Sequence, residues 1–170
     1  MSYLTFNKLN NMSQSIQKSL NENYQFSTSN TVFLSHRHDD EQQVKQAVGF
    51  LAQFGQRTYV DWLDNNMPSQ TSSETAQKLK QRINRSNKFV LLATPGSIRS
   101  IWIPWELGLA DGVKGLNKIA ILPLVKNEGT WDEREYYGIY NYIEQSYDGN
   151  WYVIKQGESR GIHLANWFES

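Results

Sequence analysis

The hydrophobic pattern along the chain changes period again and again. Short apolar runs alternate with longer stretches in which apolar positions recur every three to four residues. The runs predict strands at Thr31 to Ser35, Thr58 to Trp62, Lys88 to Thr94, Lys118 to Val125 and Trp151 to Lys155. The longer stretches predict helices over about Asp39 to Phe54, Ser73 to Arg85, Pro104 to Val113, Asp132 to Gln145 and Arg160 to Phe168. Asp39 fits an N-cap for the first helix, and Gly55 fits its stop. Pro123 has no N–H for a ladder, so it belongs near the end of its strand or at a bulge. Alternation of this kind builds a parallel sheet with helices on both faces. The expected fold class is α/β, a flavodoxin-like, doubly wound, five-stranded parallel sheet in the order 2-1-3-4-5.

Residues 1–30 read differently. They are polar and rich in Asn, Gln and Ser, with Leu9, Met12, Ile16 and Leu20 at near-helical spacing. A short amphipathic helix and a linker, Ser27 to Asn30, are expected ahead of a domain over residues 31–170. The apolar stripe has no flanking basic face, which favours docking on protein over a lipid surface.

Composition narrows the class. The chain has 170 residues, 39% hydrophobic and 20% charged, the size of one ordinary domain. Lys+Arg and Asp+Glu are both 17, so no global field draws it to nucleic acid or to an anionic membrane. No apolar run reaches the roughly 18 residues of a membrane span, and the start lacks a secretory h-region. Cysteine is absent, which removes disulfides, thiolate metal sites and thiol nucleophiles. The expectation is a cytoplasmic protein.

The topology itself locates a site. Open parallel sheets bind ligands beyond the carboxyl ends of the strands, at the switch point, here between the first and third strands. The loops there are Ser35-His36-Arg37-His38-Asp39-Asp40 and Thr94-Pro95-Gly96-Ser97, and the long loop Leu63 to Ser72 reaches the same crevice. His36 and Arg37 are expected to project donors into it, suited to phosphate or ribose. The Thr94 loop leads into Ser100-Ile101-Trp102-Ile103-Pro104-Trp105-Glu106. With Pro104 at the first helical position, Glu106 falls in the first turn, where the helix dipole keeps a carboxylate ionised. A helix-start ornament has the same sequence, so the surroundings of Glu106 decide its role.

Common alternatives lack parts. His36-x-His38-x-Asp40 resembles a metallo-hydrolase run, but the one further histidine is His163, and solvated loop histidines explain the spacing. A receiver domain needs an aspartate at the end of the third strand, where the chain reads Ala93-Thr94-Pro95-Gly96. No GxGxxG, Walker loop or G-x-S-x-G elbow occurs. No metal is expected.

The boxes that remain resemble the Toll/interleukin-1 receptor (TIR) domain, of the bacterial stand-alone kind found among Thoeris-like antiviral-defence NADases. The match runs from about Thr31 to Lys155. Val32-Phe33-Leu34-Ser35-His36-Arg37-His38-Asp39 resembles the first TIR box, and Thr58-Tyr59-Val60-Asp61 the second strand. Leu63 to Ser72 occupies the position of the BB loop, with Met67-Pro68-Ser69 in place of the usual Pro-Gly pair. Phe89 to Ser97, followed by Trp102 and Glu106, resembles the W-x-x-x-E stretch of the enzymatic members. The resemblance implies NAD⁺ as substrate, no tightly bound cofactor, and Glu106 as the catalytic carboxylate. Ser35, His36, Arg37, Asp64, Ser97, Trp102 and Trp131 are the candidate substrate-binding residues. Trp131 occupies the region where the family places a base-stacking tryptophan.

It also implies release of nicotinamide to give ADP-ribose or a cyclic ADP-ribose-type signal, and a separate effector that responds to it. Self-association through TIR–TIR contacts is implied too, with Tyr136 to Ile143 and the loop before it as the candidate surface. A non-catalytic TIR interaction module and a nucleotide-sensing, deoxyribosyltransferase-like domain are the alternatives at this point.

Overall fold

The computed structural model describes residues 1–13, 31–64, 72–126 and 135–170. In chain order its strands are β1 (Leu4–Thr5), β2 (Thr31–Ser35), β3 (Arg57–Tyr59), β4 (Lys88–Ala93), β5 (Ile119–Val125), β6 (Asn141–Gln145), β7 (Trp151–Lys155) and β8 (Gly161–His163). Its α-helices are α1 (Phe6–Ser13), α2 (Glu41–Ala52), α3 (Ser73–Arg85), α4 (Trp102–Lys114) and α5 (Leu164–Glu169). The parallel centre runs β3-β2-β4-β5-β6. Numbered from residue 31 onward, that is the expected order 2-1-3-4-5.

The far edge departs from expectation. The fifth parallel strand is β6, inside the stretch read as a helix over Asp132 to Gln145. There Glu135–Ile139 forms a short 3₁₀ turn, and Asn141–Gln145 pairs along its whole length with antiparallel β7. Five backbone pairings outweigh the near-helical spacing of the tyrosines. Trp151–Lys155 is a strand as read, but antiparallel, and β8 extends the sheet beyond it. The last helix starts at Leu164 rather than Arg160, because Gly161–His163 is taken by β8.

Period two divides the core. Val32, Leu34, Val90, Leu92 and Leu122 face α1, α2 and α5, while Phe33, Phe89, Leu91 and Ile121 face α3 and α4. Burial on both faces explains the near-continuous apolar runs of β4 and β5. α2 ends in a turn closed by Gly55 at φ 73°, a backbone only glycine adopts cheaply. α3 opens on a reciprocal capping box between Ser72 and Thr75.

The N-terminal segment docks on this domain. Leu4 and Leu9 are buried in the core, α1 packs on α2, and Gln46 donates to Asn10 over 3.0 Å. β1 pairs with Leu124 and Val125 of β5, whereas β6 pairs with Ala120 and Ile121 of the same strand. Pro123 falls between these two paired stretches, inside the strand and at a break. Ile16, Leu20 and Ser27 to Asn30 lie outside the described residues.

Candidate active site

Ser35 and His36 close β2 and turn to opposite faces. Ser35 follows Phe33 onto the α4 side, where its hydroxyl donates to Glu106 Oε2 over 2.5 Å. α4 is arranged to receive it. Ser100 Oγ accepts the Ile103 N–H over 3.3 Å at the helix start, and the helical period then buries Ile103, Glu106, Leu107 and Ala110 together. Three apolar neighbours thus carry one carboxyl down onto the sheet.

This changes the expectation for Glu106. The helix starts at Trp102, so Glu106 sits in the second turn, and it is only 6% exposed. Burial pushes its carboxyl up to about 8; the Ser35 hydroxyl pulls it down, and the negative charge of Asp61 adds to the rise. At neutral pH the site therefore holds a mostly protonated acid, not the ionised one that a first-turn position implies. Among the described residues no cation pairs with it.

His36 faces the other way, and this too corrects an expectation. Its side chain is 3% exposed; Nδ1 lies 2.9 Å from the Leu34 carbonyl and Nε2 accepts the indole N–H of Trp62 over 3.0 Å. Both ring nitrogens are held within the protein, so neither projects a donor into the crevice. Asp61 Oδ1 is 3.4 Å from Nε2 and accepts the Trp62 backbone N–H over 2.9 Å.

The switch-point loops are tied together. Thr94 Oγ1 donates to Asp40 Oδ2 over 2.6 Å, linking the loop after β4 to the start of α2. Ser97 is buried there: its Oγ accepts the Thr94 N–H over 2.9 Å and donates to the Leu92 carbonyl over 3.2 Å. Arg37 pairs with Asp39 and lies across Gly96, where a Cβ would collide with the guanidinium. Gly96 thereby lets the one half-buried cation of this loop pair cross the switch point.

Asp64 is 4% exposed and sits in a clamp of its own. Its Oδ2 accepts from Arg82 Nη2 at 2.7 Å and Nε at 3.0 Å, and from the Tyr59 hydroxyl at 3.0 Å. The Arg82 guanidinium also covers the Tyr59 ring at 5.2 Å. The half-buried Trp102 meets the exposed Trp105 edge to face at 5.5 Å. Trp131 lies outside the described residues, as do residues 65–71 of the loop after β3.

The structure therefore joins Ser35 to Glu106 directly, places Arg37 and Ser97 in the adjoining loops, and gives His36 and Asp64 separate networks. Beyond the candidate residues, the structure adds Asp61 and Trp62 and ties together Asp40 and Thr94 of the two switch-point loops. The apolar run predicts a strand through Trp62, yet Asp61–Leu63 is a 3₁₀ turn. An aspartate directly after an apolar run, able to capture the next N–H, is the signal that was there to read.

Fold and site define a doubly wound domain whose switch point is built around one buried carboxyl. The chain belongs to the TIR domain family, whose model matches residues 32–151. It is similar to a protein named "Probable 3' cyclic ADP-D-ribose synthase ThsB'" from Bacillus cereus (strain MSX-D12). The two are 29% identical over 186 aligned positions, covering 95% of this chain and 94% of that protein. Among the described residues, no helix is long and apolar enough to cross a membrane.

Proposed function

We propose that this protein consumes NAD⁺, breaking the nicotinamide–ribose bond with Glu106 as its catalytic carboxylate. The products are nicotinamide and ADP-ribose or a cyclic ADP-ribose-type nucleotide, a signal in bacterial antiviral defence read by a separate effector. The relative's name supports the product class. The observation that carries the reading is the buried Glu106 carboxyl, held by the Ser35 hydroxyl and lacking a countercharge among the described residues.

The chemistry asks for little more. The C1′–N bond breaks with its electron pair leaving on nicotinamide, which departs neutral, so the acid half of a glycosidase pair is unnecessary. Positive charge develops on the ribose, and a carboxylate in a water-poor site stabilises it strongly. The pyridinium of bound NAD⁺ favours the ionised acid, so binding expels the Glu106 proton. Water then captures the ribose cation and loses a proton to solvent to give ADP-ribose, or a nucleophile of the same nucleotide closes a ring.

Assembly is part of the proposal. Exposed apolar side chains are found at Tyr136 and Ile139 of the 3₁₀ turn, at Trp105 and Val113 of α4, and at Ile101, 84% exposed, just ahead of that helix. This apolar surface supports self-association. The test is incubation with NAD⁺ at several protein concentrations, with nicotinamide followed by chromatography and the remaining nucleotide identified by mass spectrometry. Wild type is expected to release nicotinamide and Glu106→Gln to lose the activity. No turnover by wild type at any concentration, or full turnover by the variant, overturns the assignment.

A further inference from the structure

We infer that His36 is a positioning residue with two settings: neutral, its Nε2 accepts the Trp62 indole; protonated, the same nitrogen donates to Asp61 and releases the indole. The geometry fixes the first setting. The Leu34 carbonyl only accepts, so Nδ1 carries the hydrogen; an indole N–H only donates, so Nε2 is bare. The second setting is already in place, because Asp61 Oδ1 lies 3.4 Å from the same nitrogen. Nδ1 keeps its bond in both settings, so one proton from solvent exchanges Trp62 for Asp61 without moving the ring.

The groups around His36 set the balance. Burial disfavours the protonated ring most, with Asp61 and Asp40 opposing this and His38 adding to it, and the net shift is downward. Lys45 of α2 lies 5.8 Å from the centre of the Trp62 ring, and Glu106 of α4 reaches β2 through Ser35. The exchange matters for two reasons. Trp62 belongs to the 3₁₀ turn that leads into the loop after β3, so His36 governs how firmly that turn is held. Burial is the main reason the Glu106 carboxyl is raised, and the Asp61 charge adds to it, so a protonated His36 beside Asp61 offsets that added push.

The effect on turnover rests on the NAD⁺ reading above; the exchange itself does not. Its test is a nuclear magnetic resonance titration of the Trp62 indole N–H in the full chain, assigned with Trp62→Phe, from about pH 8 to about pH 5. In wild type the signal is expected to move with a midpoint below the ordinary histidine value. In His36→Gln, whose amide oxygen still accepts but does not titrate, it is expected to stay still. In Asp61→Asn the midpoint falls further. A wild-type signal that holds still until the protein unfolds, or one that moves equally in His36→Gln, overturns the inference. If the exchange is seen but no nicotinamide is released, the NAD⁺ reading fails and this one stands.

Discussion

Glu106 and Asp64 are two carboxyls at nearly equal depth in one domain, and their surroundings are opposite. Asp64 has a guanidinium with two N–H donors and a phenol, drawn from α3 and β3. Among the described residues, Glu106 has one serine hydroxyl, three apolar neighbours on its own helix and no countercharge. A buried acid with a full countercharge is satisfied and fixes structure. A buried acid without one is held at a disadvantage that an incoming cation relieves, which is the electrostatic form of a binding site for positive charge. Burial alone would have ranked the two alike; the partner list separates them.

Glu106→Gln tests the contrast most severely. Nicotinamide release is expected to fall about 10²-fold or more, about 3 kcal/mol of transition-state stabilisation. The same variant should be more stable. An unfolded glutamate ionises near 4.5 and the folded one near 8, so wild-type stability falls as pH rises through that window. At pH 7 the gain from the glutamine is about 3 kcal/mol, and it should vanish near pH 4, as read by urea unfolding at both pH values. A variant no more stable than wild type at pH 7 would show that Glu106 is not the strained acid described.

Asp64→Asn should do the converse, destabilising the fold by about 3 kcal/mol because it takes away the carboxylate charge that the Arg82 guanidinium pairs with. Turnover per folded molecule should change only a few-fold. A stable Asp64→Asn protein without activity would move Asp64 into contact with the substrate and break the comparison.

The pH profile sharpens it. If the ionised acid is the working form, kcat/KM should rise tenfold per unit, about 1.4 kcal/mol, up to a plateau near pH 8. A flat profile below pH 8 would contradict the protonated resting state. The smallest effect belongs to Ser35→Ala, about 1 kcal/mol or fivefold in rate. Its inflection should move to higher pH, since the hydroxyl favours the charged form; a downward move would reverse the role given to that bond.

The helix over Ser73–Arg85 and the strand over Thr31–Ser35 were legible to the residue, because each buries its own periodic face and has a clear start. Glu106 was legible as a position but not as a state. Its protonation depends on Ser35, 71 positions away, and on Asp61, neither of which local spacing reveals. β6 was misread for a related reason. Tyr137, Tyr140 and Tyr142 are all buried, at intervals compatible with a helix, and the pairing with β7 that makes 141–145 a strand is not a local property. His36 looked like a loop donor, and only the alternation at the end of β2 turns it toward Trp62.

The two-residue strand β1 has a consequence for handling the protein. Leu4 and Thr5 cover the backbone of Leu124 and Val125, where β6 does not reach. A version trimmed to residues 31–170 would take from that apolar stretch of β5 the one strand that pairs there among the described residues, opening the edge to strands of other molecules. The first residues of the chain therefore serve as a built-in guard against precipitation, and shortening it for convenience would trade solubility for size.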